Sequence, residues 1–391
     1  MSAVAAPRAT RAEKDRLLED FVRLCAIESP SRRERAMADA VTADLRELGL
    51  EVHEDGTASE TGSDSGNLLA RIAPPPGSER SILLCAHLDT VPLAAPVEVV
   101  VEEGVVSNAN EAILGADNKA AVAVILAVAR RLARGEAPVG VEILFTTCEE
   151  LALLGAKAFD TGALRSDFGF VFDHASPVGE LILAAPTYYS IEARFRGQAA
   201  HAGLCPERGH NAIEAAAAGV AALELGRLDP GTTANVGKIE GGSAANVVAD
   251  RCRVELEARS LDAARAAEVT SSIVDTLTRA ASDRECDVDL LVDELFRGFR
   301  IARSAEPVQA ASAALEAVGI EPVPISTGGG SDANAFQARG FQCLNVANGT
   351  YGAHQIDESV SVDALETMLD VVLGIVAHSA ATPAPEHDPE R

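Results

Sequence analysis

The feature that most constrains the fold of this chain is an alternation of apolar strands and helices that stops near residue 181 and resumes near residue 299. Before the break, strand patterns alternate with helical ones, at 67–72, 81–87, 141–146 and 168–173 for the strands and at 31–48, 118–132 and 154–159 for the helices. After the break, the alternation continues from residue 305 to residue 378. This order predicts an α/β domain around a mainly parallel sheet.

The segment between the two halves has a different periodicity. From residue 189 to residue 196, apolar and polar residues alternate strictly, which is typical of a strand with one buried and one solvated face. The segment then reads strand, helix, strand, strand, helix, strand, the order of a ferredoxin-like α+β domain. We therefore predict a discontinuous α/β domain over 1–180 and 299–380, an inserted ferredoxin-like domain over 181–298, and a disordered tail over 381–391.

Composition and charge exclude several kinds of partner. The 391 residues carry 33 Lys and Arg against 59 Asp and Glu, a formal charge of -26 that does not suit nucleic acid. The longest apolar run, 120–129, is half of the roughly 20 residues of a membrane span, and no secretory signal is visible. Seven cysteines without a CxxC pair argue against a disulfide framework and a thiolate zinc site. We expect a cytoplasmic protein with neither a nucleic-acid nor a membrane partner.

Polar side chains follow three of the predicted strands where each strand ends. His87 and Asp89 follow the second strand, Glu149 and Glu150 the third, and Asp173 the fourth. Because parallel strands bring their carboxyl ends to one edge of a sheet, these groups are expected to meet there. Two adjacent glutamates repel each other and lose hydration wherever they are buried, so a cation is expected beside them.

Two further residues have an ordinary structural interpretation as well as a functional one. Asp117 precedes an apolar helix and could serve as its cap, and His354 lies in a turn-rich segment and could be an ordinary loop residue. Taken together, two histidines and four to five carboxylates suit hard or borderline divalent ions, and the number of anionic groups indicates two ions. Zinc is the first choice, with cobalt or manganese as alternatives.

Five motifs carry a family resemblance. The segments HLDTVP, GADNKAAVA, CEELALLGAKAF, the aspartate of FDHA, and GAHQIDESV, in this order, resemble the M20-type co-catalytic zinc exopeptidase family, which includes peptidase T, carboxypeptidase G and aminoacylase. The resemblance covers nearly the whole chain and implies these roles: His87 and Asp173 on one zinc, Glu150 and His354 on the other, Asp117 bridging both, Glu149 as general base, and Asp89 holding the tautomer of His87. The chain departs from the family at Asn118, usually an acid, and at Cys148, usually a glycine.

The resemblance also implies substrate contacts. His201 would polarise the substrate carbonyl or stabilise the oxyanion, and Asn246 and Arg259 would clamp the substrate. An ion pair with Glu255 or Glu257 would explain Arg259 equally well. Three residues before a predicted helix are expected to hold the backbone or terminal carboxylate of a peptide through exposed amides: Gly329, Gly330 and Ser331.

Within the family, TTANVGKIEGG and ARSLD look most like the peptidase T-like branch. This implies a di-zinc, tripeptidase-like enzyme that removes the N-terminal residue from short peptides. An N-acyl amino acid amidohydrolase or a carboxypeptidase of the same family is the alternative reading, and a catalytically silent, metal-stabilised scaffold protein is one of another class. Many relatives pair through the inserted domain, so a homodimer is expected.

Overall fold

The computed structural model of the chain describes residues 7–381. Ten α-helices lie within these residues: α1 (Arg11–Cys25), α2 (Arg35–Glu47), α3 (Ala58–Thr61), α4 (Ala116–Arg131), α5 (Leu154–Ala158), α6 (Ala212–Ala222), α7 (Ala263–Ser282), α8 (Glu306–Val318), α9 (Asp332–Ala338) and α10 (Val362–Ala381). The tail predicted for 381–391 lies outside the described residues, apart from Ala381.

The strands fall into three sheets. They are β1 (Val52–Glu54), β2 (Leu68–Ile72), β3 (Ser81–His87), β4 (Val99–Glu102), β5 (Val105–Asn108), β6 (Gly140–Thr146), β7 (Phe168–His174), β8 (Glu180–Ala185), β9 (Thr187–Arg196), β10 (Gly226–Asp229), β11 (Thr232–Gly241), β12 (Arg251–Ser260), β13 (Asp287–Phe296), β14 (Phe299–Arg300), β15 (Val323–Ser326), β16 (Cys343–Ala347), β17 (Thr350–Tyr351) and β18 (Ser359–Ser361).

The chain forms two compact units. Within the described residues, the first comprises 7–183, 300–326 and 331–381, and the second comprises Ala184–Phe299 and Thr327–Gly330.

The large sheet of the first unit runs β1-β2-β6-β3-β7-β16-β8-β14, and β15 also pairs with β8. Its four central strands, β6, β3, β7 and β16, are mutually parallel, whereas β2 and β8 pair antiparallel at their flanks. Every residue of β3 and β6 is buried, as a strand covered on both faces requires. The α/β prediction with a mainly parallel centre is therefore confirmed, and it brings four strand ends to one edge.

The spacing of Ser31 and Glu34 predicts a capping box at the start of the helix over 31–48, and this prediction is wrong. Helix α2 begins only at Arg35, and its N-cap Glu34 makes no side-chain capping bond. The Ser31 hydroxyl instead donates to a carboxylate oxygen of Asp89 at 2.7 Å. The fully buried Glu34 carboxylate accepts the amides of Arg32 and Cys148. Both side chains serve distant segments of the first unit, which a local sequence rule does not detect.

A second, small sheet in the first unit has the order β17-β18-β5-β4. The sequence patterns missed it because its strands are only two to four residues long. They also predicted one continuous helix from Ser359 to His378. The structure forms β18 first, through pairing with β5, and begins α10 at Val362.

The second unit is an antiparallel sheet with two helices. Its order is β10-β11-β12-β9-β13, so the strands of the βαββαβ pattern lie in the order second, third, first, fourth, with β10 added at an edge. Helices α6 and α7 pack on the sheet. The apolar face of β9 supplies Ile191, Ala193 and Phe195 to a core of its own, together with Val254 and Leu277.

Two further findings concern the membrane and the thiols. Among residues 7–381, none of the helices combines the length and the apolar character that a bilayer crossing demands. All seven cysteines are free thiols, and six of them are buried.

Candidate metal centre

The candidate site lies at the carboxyl ends of the parallel strands. His87 is the last residue of β3, Asp173 is the penultimate residue of β7, and Glu149 and Glu150 form a 3-10 turn shortly after β6. Asp117 stands in the first turn of α4 with non-helical dihedral angles, and its peptide bond to Asn118 is cis. These side chains come together as the strand order predicts.

Asp117 lies between the two histidines. Its Oδ1 is 3.4 Å from Nε2 of His87, and its Oδ2 is 3.5 Å from Nε2 of His354. His354 Nε2 also lies 2.7 Å from Oε1 of Glu150, and His87 Nε2 lies 3.4 Å from Oδ1 of Asp173. One carboxylate therefore faces both imidazoles, each of which faces a further carboxylate.

Two groups of donor atoms are compact enough to hold a cation. The ligand atoms of His87, Asp117 and Glu150 lie within 4.8 Å of one another, and so do those of His87, Glu149 and Asp173. His87 Nε2 and Asp117 Oδ1 are buried and lack a hydrogen-bond partner among the described residues. Orphaned buried donors and acceptors are rare unless something else binds them. This oxygen and nitrogen set fits two divalent cations.

The raised pKa values of the carboxylates also favour bound cations at this site. Burial raises the pKa of Glu149 well above its ordinary value, and the neighbouring Asp173 raises it further. Burial likewise raises the pKa of Glu150 and of Asp173. Bringing these carboxylates together is costly unless positive charge is added, and cations would supply it.

The neighbouring carboxylates raise the pKa of both histidines. Burial lowers the pKa of His87, but the adjoining carboxylates, Asp173 first, raise it well above the usual value. Hydrogen bonding to Asp117 and Glu150 raises the pKa of His354 to about 10. Although burial opposes it, contact with His354 and His87 lowers the pKa of Asp117. A proton on Nε2 of each imidazole thus occupies the position at which a cation would bind.

Asp89 faces His87 through both its main chain and its side chain. Nδ1 of His87 lies 2.9 Å from the main-chain oxygen of Asp89 and 3.5 Å from its carboxylate, and the role of Asp89 in fixing the tautomer of His87 stays a prediction. The fully buried carboxylate of Asp89 also accepts the amides of Glu149 at 2.9 Å and Glu150 at 3.1 Å. It holds the turn that presents both glutamates.

Cys148, the residue before this turn, adopts a φ of +53°, a conformation that favours glycine. Its amide donates to Glu34 at 3.0 Å, and its thiol lies 3.3 Å from the same oxygen. Burial raises the pKa of this thiol to about 12, so a protonated, unreactive thiol stands beside the glutamates.

Three other buried carboxylates near the site were missed from the sequence. Glu34 has just been described, and Glu358 accepts the amides of Gly115 and Asp117. Asp332 accepts the hydroxyl of Thr146 at 2.5 Å through Oδ2, while its Oδ1 has no hydrogen-bond partner within residues 7–381. Burial raises the pKa of Asp332 to about 7. Only Asp332 had a sequence signal, because it follows the glycine run that was interpreted as an anion-binding loop.

Two residues of that glycine run, Gly329 and Ser331, use their amides in local hydrogen bonds. The amide of Gly329 donates to the hydroxyl of Thr327, and the amide of Ser331 donates to Asn334 in a capping box at the start of α9. A Cβ at Gly330 would lie 2.4 Å from the ring of Phe296, so this position is filled from within its own unit. Binding of a substrate carboxylate by Gly329, Gly330 and Ser331 stays a prediction.

The other predicted substrate residues lie in the second unit. His201 is exposed, and its Nδ1 accepts the amide of Gly203. Asn246 is also exposed, and its carbonyl accepts the amide of Ala202.

Arg259 is already engaged within that unit. It donates to Glu257 and to the Gly328 carbonyl, both at 3.0 Å, and its guanidinium lies 4.1 Å from the ring centroid of Tyr188. The ion-pair interpretation of Arg259 is thus realised, through Glu257.

Comparisons with known proteins agree with this geometry. Residues 83–378 match the family model described as Peptidase family M20/M25/M40. The Bacillus subtilis (strain 168) protein YqjE is 32% identical over 368 residues, covering 93% of this chain and 98% of that one.

Two solved structures also resemble the chain. The aminopeptidase PepT from Bacillus cereus ATCC 10987 is 32% identical with a TM-score of 0.86. A tripeptidase from Staphylococcus aureus subsp. aureus Mu50 is 31% identical with a TM-score of 0.90. Each likeness covers 94% of this chain and 99% of the other.

Proposed function

The chain belongs to peptidase family M20/M25/M40, and on that premise we propose that it is a metal-dependent exopeptidase that releases the N-terminal residue of short peptides. The observation that carries the proposal is the position of Asp117 between two imidazoles, with Glu149 beside one of them. The likeness to an aminopeptidase and to a tripeptidase over nearly the full length supports the N-terminal specificity.

The family resemblance implies which residues would hold two ions, and the distances between their side chains support that division. His87 and Asp173 would hold one, Glu150 and His354 the other, and Asp117 would contribute one oxygen to each. Zinc is our choice of metal because imidazole and carboxylate donors without thiolate suit it, as they also suit cobalt and manganese. When bound, such ions polarise a carbonyl and lower the pKa of water.

Glu149 would act as the general base. Its amide is fixed by Asp89, and its largely buried carboxylate lies within the same small cluster as His87 and Asp173. It would take the proton of the attacking water on a carboxylate oxygen and return it to the departing amine nitrogen. A carboxyl group whose pKa is raised by burial is suited to both steps, since it accepts and holds a proton more readily than an ordinary glutamate does.

The first test combines metal content and turnover. The purified protein is assayed for bound metal, then with free tripeptides and with N-acetyl amino acids, each with and without a chelator. We expect about two ions per chain and chelator-sensitive release of the N-terminal residue from tripeptides. Release of the acyl group alone would make the protein an amidohydrolase of N-acylated amino acids. A protein that neither contains nor takes up metal would contradict the proposal.

The general-base assignment has its own test. Replacing Glu149 with Gln should leave the metal content unchanged and lower kcat by about 10²- to 10⁴-fold, because the amide cannot accept the proton. The matched control is Glu60→Gln, which alters an exposed glutamate in the short helix α3. Turnover by Glu149→Gln at the rate of this control would refute the assignment.

The remaining assignments rest on the family resemblance. A role for His201 in polarising the carbonyl, clamping by Asn246 and Arg259, a homodimer and a cytoplasmic location all stay predictions. Kinetics of His201→Ala would test the first of these, with a fall in kcat and retained metal as the expected result.

A further inference from the structure

Glu358 is a buried carboxylate that belongs to neither candidate group of metal ligands. It also forms no ion pair with another of the residues 7–381. Its side chain is only 2% exposed. Its Oε2 accepts the amide of Gly115 at 2.7 Å, and its Oε1 accepts the amide of Asp117 at 2.8 Å. Both oxygens are therefore used to bind one short segment of backbone.

That segment cannot satisfy its own amides. Gly115 has a φ of +77°, and both Asp117 and Asn118 have non-helical dihedral angles, so regular helix begins only after them. The first amides of a helix lack intrahelical acceptors, and buried amides need a partner. Glu358 supplies this partner for Asp117, the residue whose carboxylate faces both imidazoles.

The same stretch of chain also supplies a candidate ligand. His354 precedes Glu358 by four residues, and its Nε2 lies 3.5 Å from Oδ2 of Asp117. Asp117 is thus fixed at its backbone by Glu358 and approached at its side chain by His354. A shift of this backbone would move Oδ1 and Oδ2 together, away from both imidazoles.

We infer that Glu358 is a positioning residue that fixes Asp117 between the two candidate metal sites and so sets the affinity for both ions. This inference rests on the proposed function, because it takes Asp117 to be the shared ligand. Partners that orient a metal ligand contribute 10- to 100-fold to metal affinity in other sites.

Glu358→Gln is the most direct variant. The side chain keeps its shape, but one of the two acceptor oxygens becomes an NH₂ group that faces a backbone N–H. One amide therefore loses its partner. We expect the metal affinity, measured by competition with a chromophoric chelator, to fall at least tenfold and the zinc content after dialysis to fall below that of the wild type.

Glu142→Gln is the matched control. Glu142 is also 2% exposed, and its carboxylate also binds backbone amides, those of Arg165 at 2.8 Å and Ser166 at 2.9 Å. This control should lower Tm without changing metal affinity. If both variants lose the same Tm and only Glu358→Gln loses affinity, the effect is specific to the position of Asp117.

A second variant covers the case in which Glu358→Gln does not fold. Glu358→Asp keeps the charge but shortens the reach by one methylene, and we expect it to weaken metal binding and to change the absorption spectrum of the cobalt-loaded protein. Wild-type affinity for both ions in Glu358→Gln, or in Glu358→Asp if only that variant folds, would overturn the inference while leaving the proposed function intact. A wild-type protein that binds no metal would overturn both.

Discussion

At the scale of single residues, charge explains the site better than any individual contact. Four carboxylates and two imidazoles gather at one edge of the sheet, and all of them except His354 are largely buried: Asp117, Glu149, Glu150, Asp173, His87 and His354. Without cations, protons must compensate the negative charge, which is why the pKa values of the imidazoles are raised. Metal ions and protons therefore compete for the same atoms.

This competition predicts proton release on metal binding. The pKa of His354 is about 10, so its imidazole is protonated at pH 7, and the surrounding carboxylates raise the pKa of His87 as well. Binding requires the neutral rings, so loading at pH 7 should release protons, about one of them from His354, and the number should fall as pH rises through about 10.

Calorimetric titration of the metal-free protein with zinc measures this release. Repeating it in buffers of different ionisation enthalpy gives the number of protons, and His53→Gln, which changes an exposed histidine, is the control. A heat of binding that is the same in every buffer would contradict the prediction.

Site residues that lie at the ends of apolar strands could be predicted from the sequence. Residues whose carboxylates accept distant backbone amides could not. His87, Asp173 and the glutamate pair stand at the ends of apolar strands, and that position is visible in the sequence. Glu34 and Glu358 bind amides 114 and 241 to 243 residues away, and no local pattern carries this information. Distant hydrogen bonds of this kind depend on the completed fold.

At the scale of elements, the turn that bears Glu149 and Glu150 is held tightly against the strand before it. Gly155 is the second residue of α5, and its amide donates to the carbonyl of Thr147 at 3.0 Å. A Cβ on Gly155 would lie 2.1 Å from that carbonyl and 2.7 Å from Oδ1 of Asn67. This close approach fixes the distance between the turn and β6.

Replacing Gly155 with Ala should therefore affect both stability and activity. Backbone shifts of this kind cost about 1–3 kcal/mol, and displacement of Glu149 and Glu150 should lower kcat as well. The measurements are urea denaturation and tripeptide turnover. The control is Gly56→Ala, where a Cβ meets nothing within 4 Å. Equal stability and activity in the two variants would show that the turn tolerates the added methyl group.

Element boundaries were predicted well where a periodic apolar pattern runs through the whole element, as in β3 and in the strands of the second unit. The errors fall at the starts of helices. Helix α2 was placed too early, because Ser31 and Glu34 match a capping box but bond elsewhere. Helix α10 was also placed too early, because its first residues pair as β18.

At the scale of the whole molecule, each unit has its own core, and the candidate metal ligands found among residues 7–381 all lie in the first. A ligand that binds only the folded state stabilises it in proportion to the logarithm of its concentration over Kd. Metal should therefore raise the unfolding temperature of the first unit and leave that of the second unchanged.

The tyrosines allow the two transitions to be separated. The chain has no tryptophan and three tyrosines: Tyr188 and Tyr189 lie in the second unit, and Tyr351 in the first. In a Tyr351→Phe variant, tyrosine fluorescence reports on the second unit alone, while calorimetry reports on both. We expect chelator to lower a calorimetric transition without moving the fluorescence transition. A parallel shift of both signals would show that the units unfold as one.

The place of β16 in the large sheet has a consequence for biosynthesis. This strand, Cys343–Ala347, lies between β7 and β8, which precede it by more than 150 residues. The ribosome therefore completes the second unit before the centre of the first can close, and His354 and Glu358 follow later still. A nascent or truncated chain that stops before these residues has no complete metal centre, so the hydrolase becomes competent only after residue 358 has been synthesised.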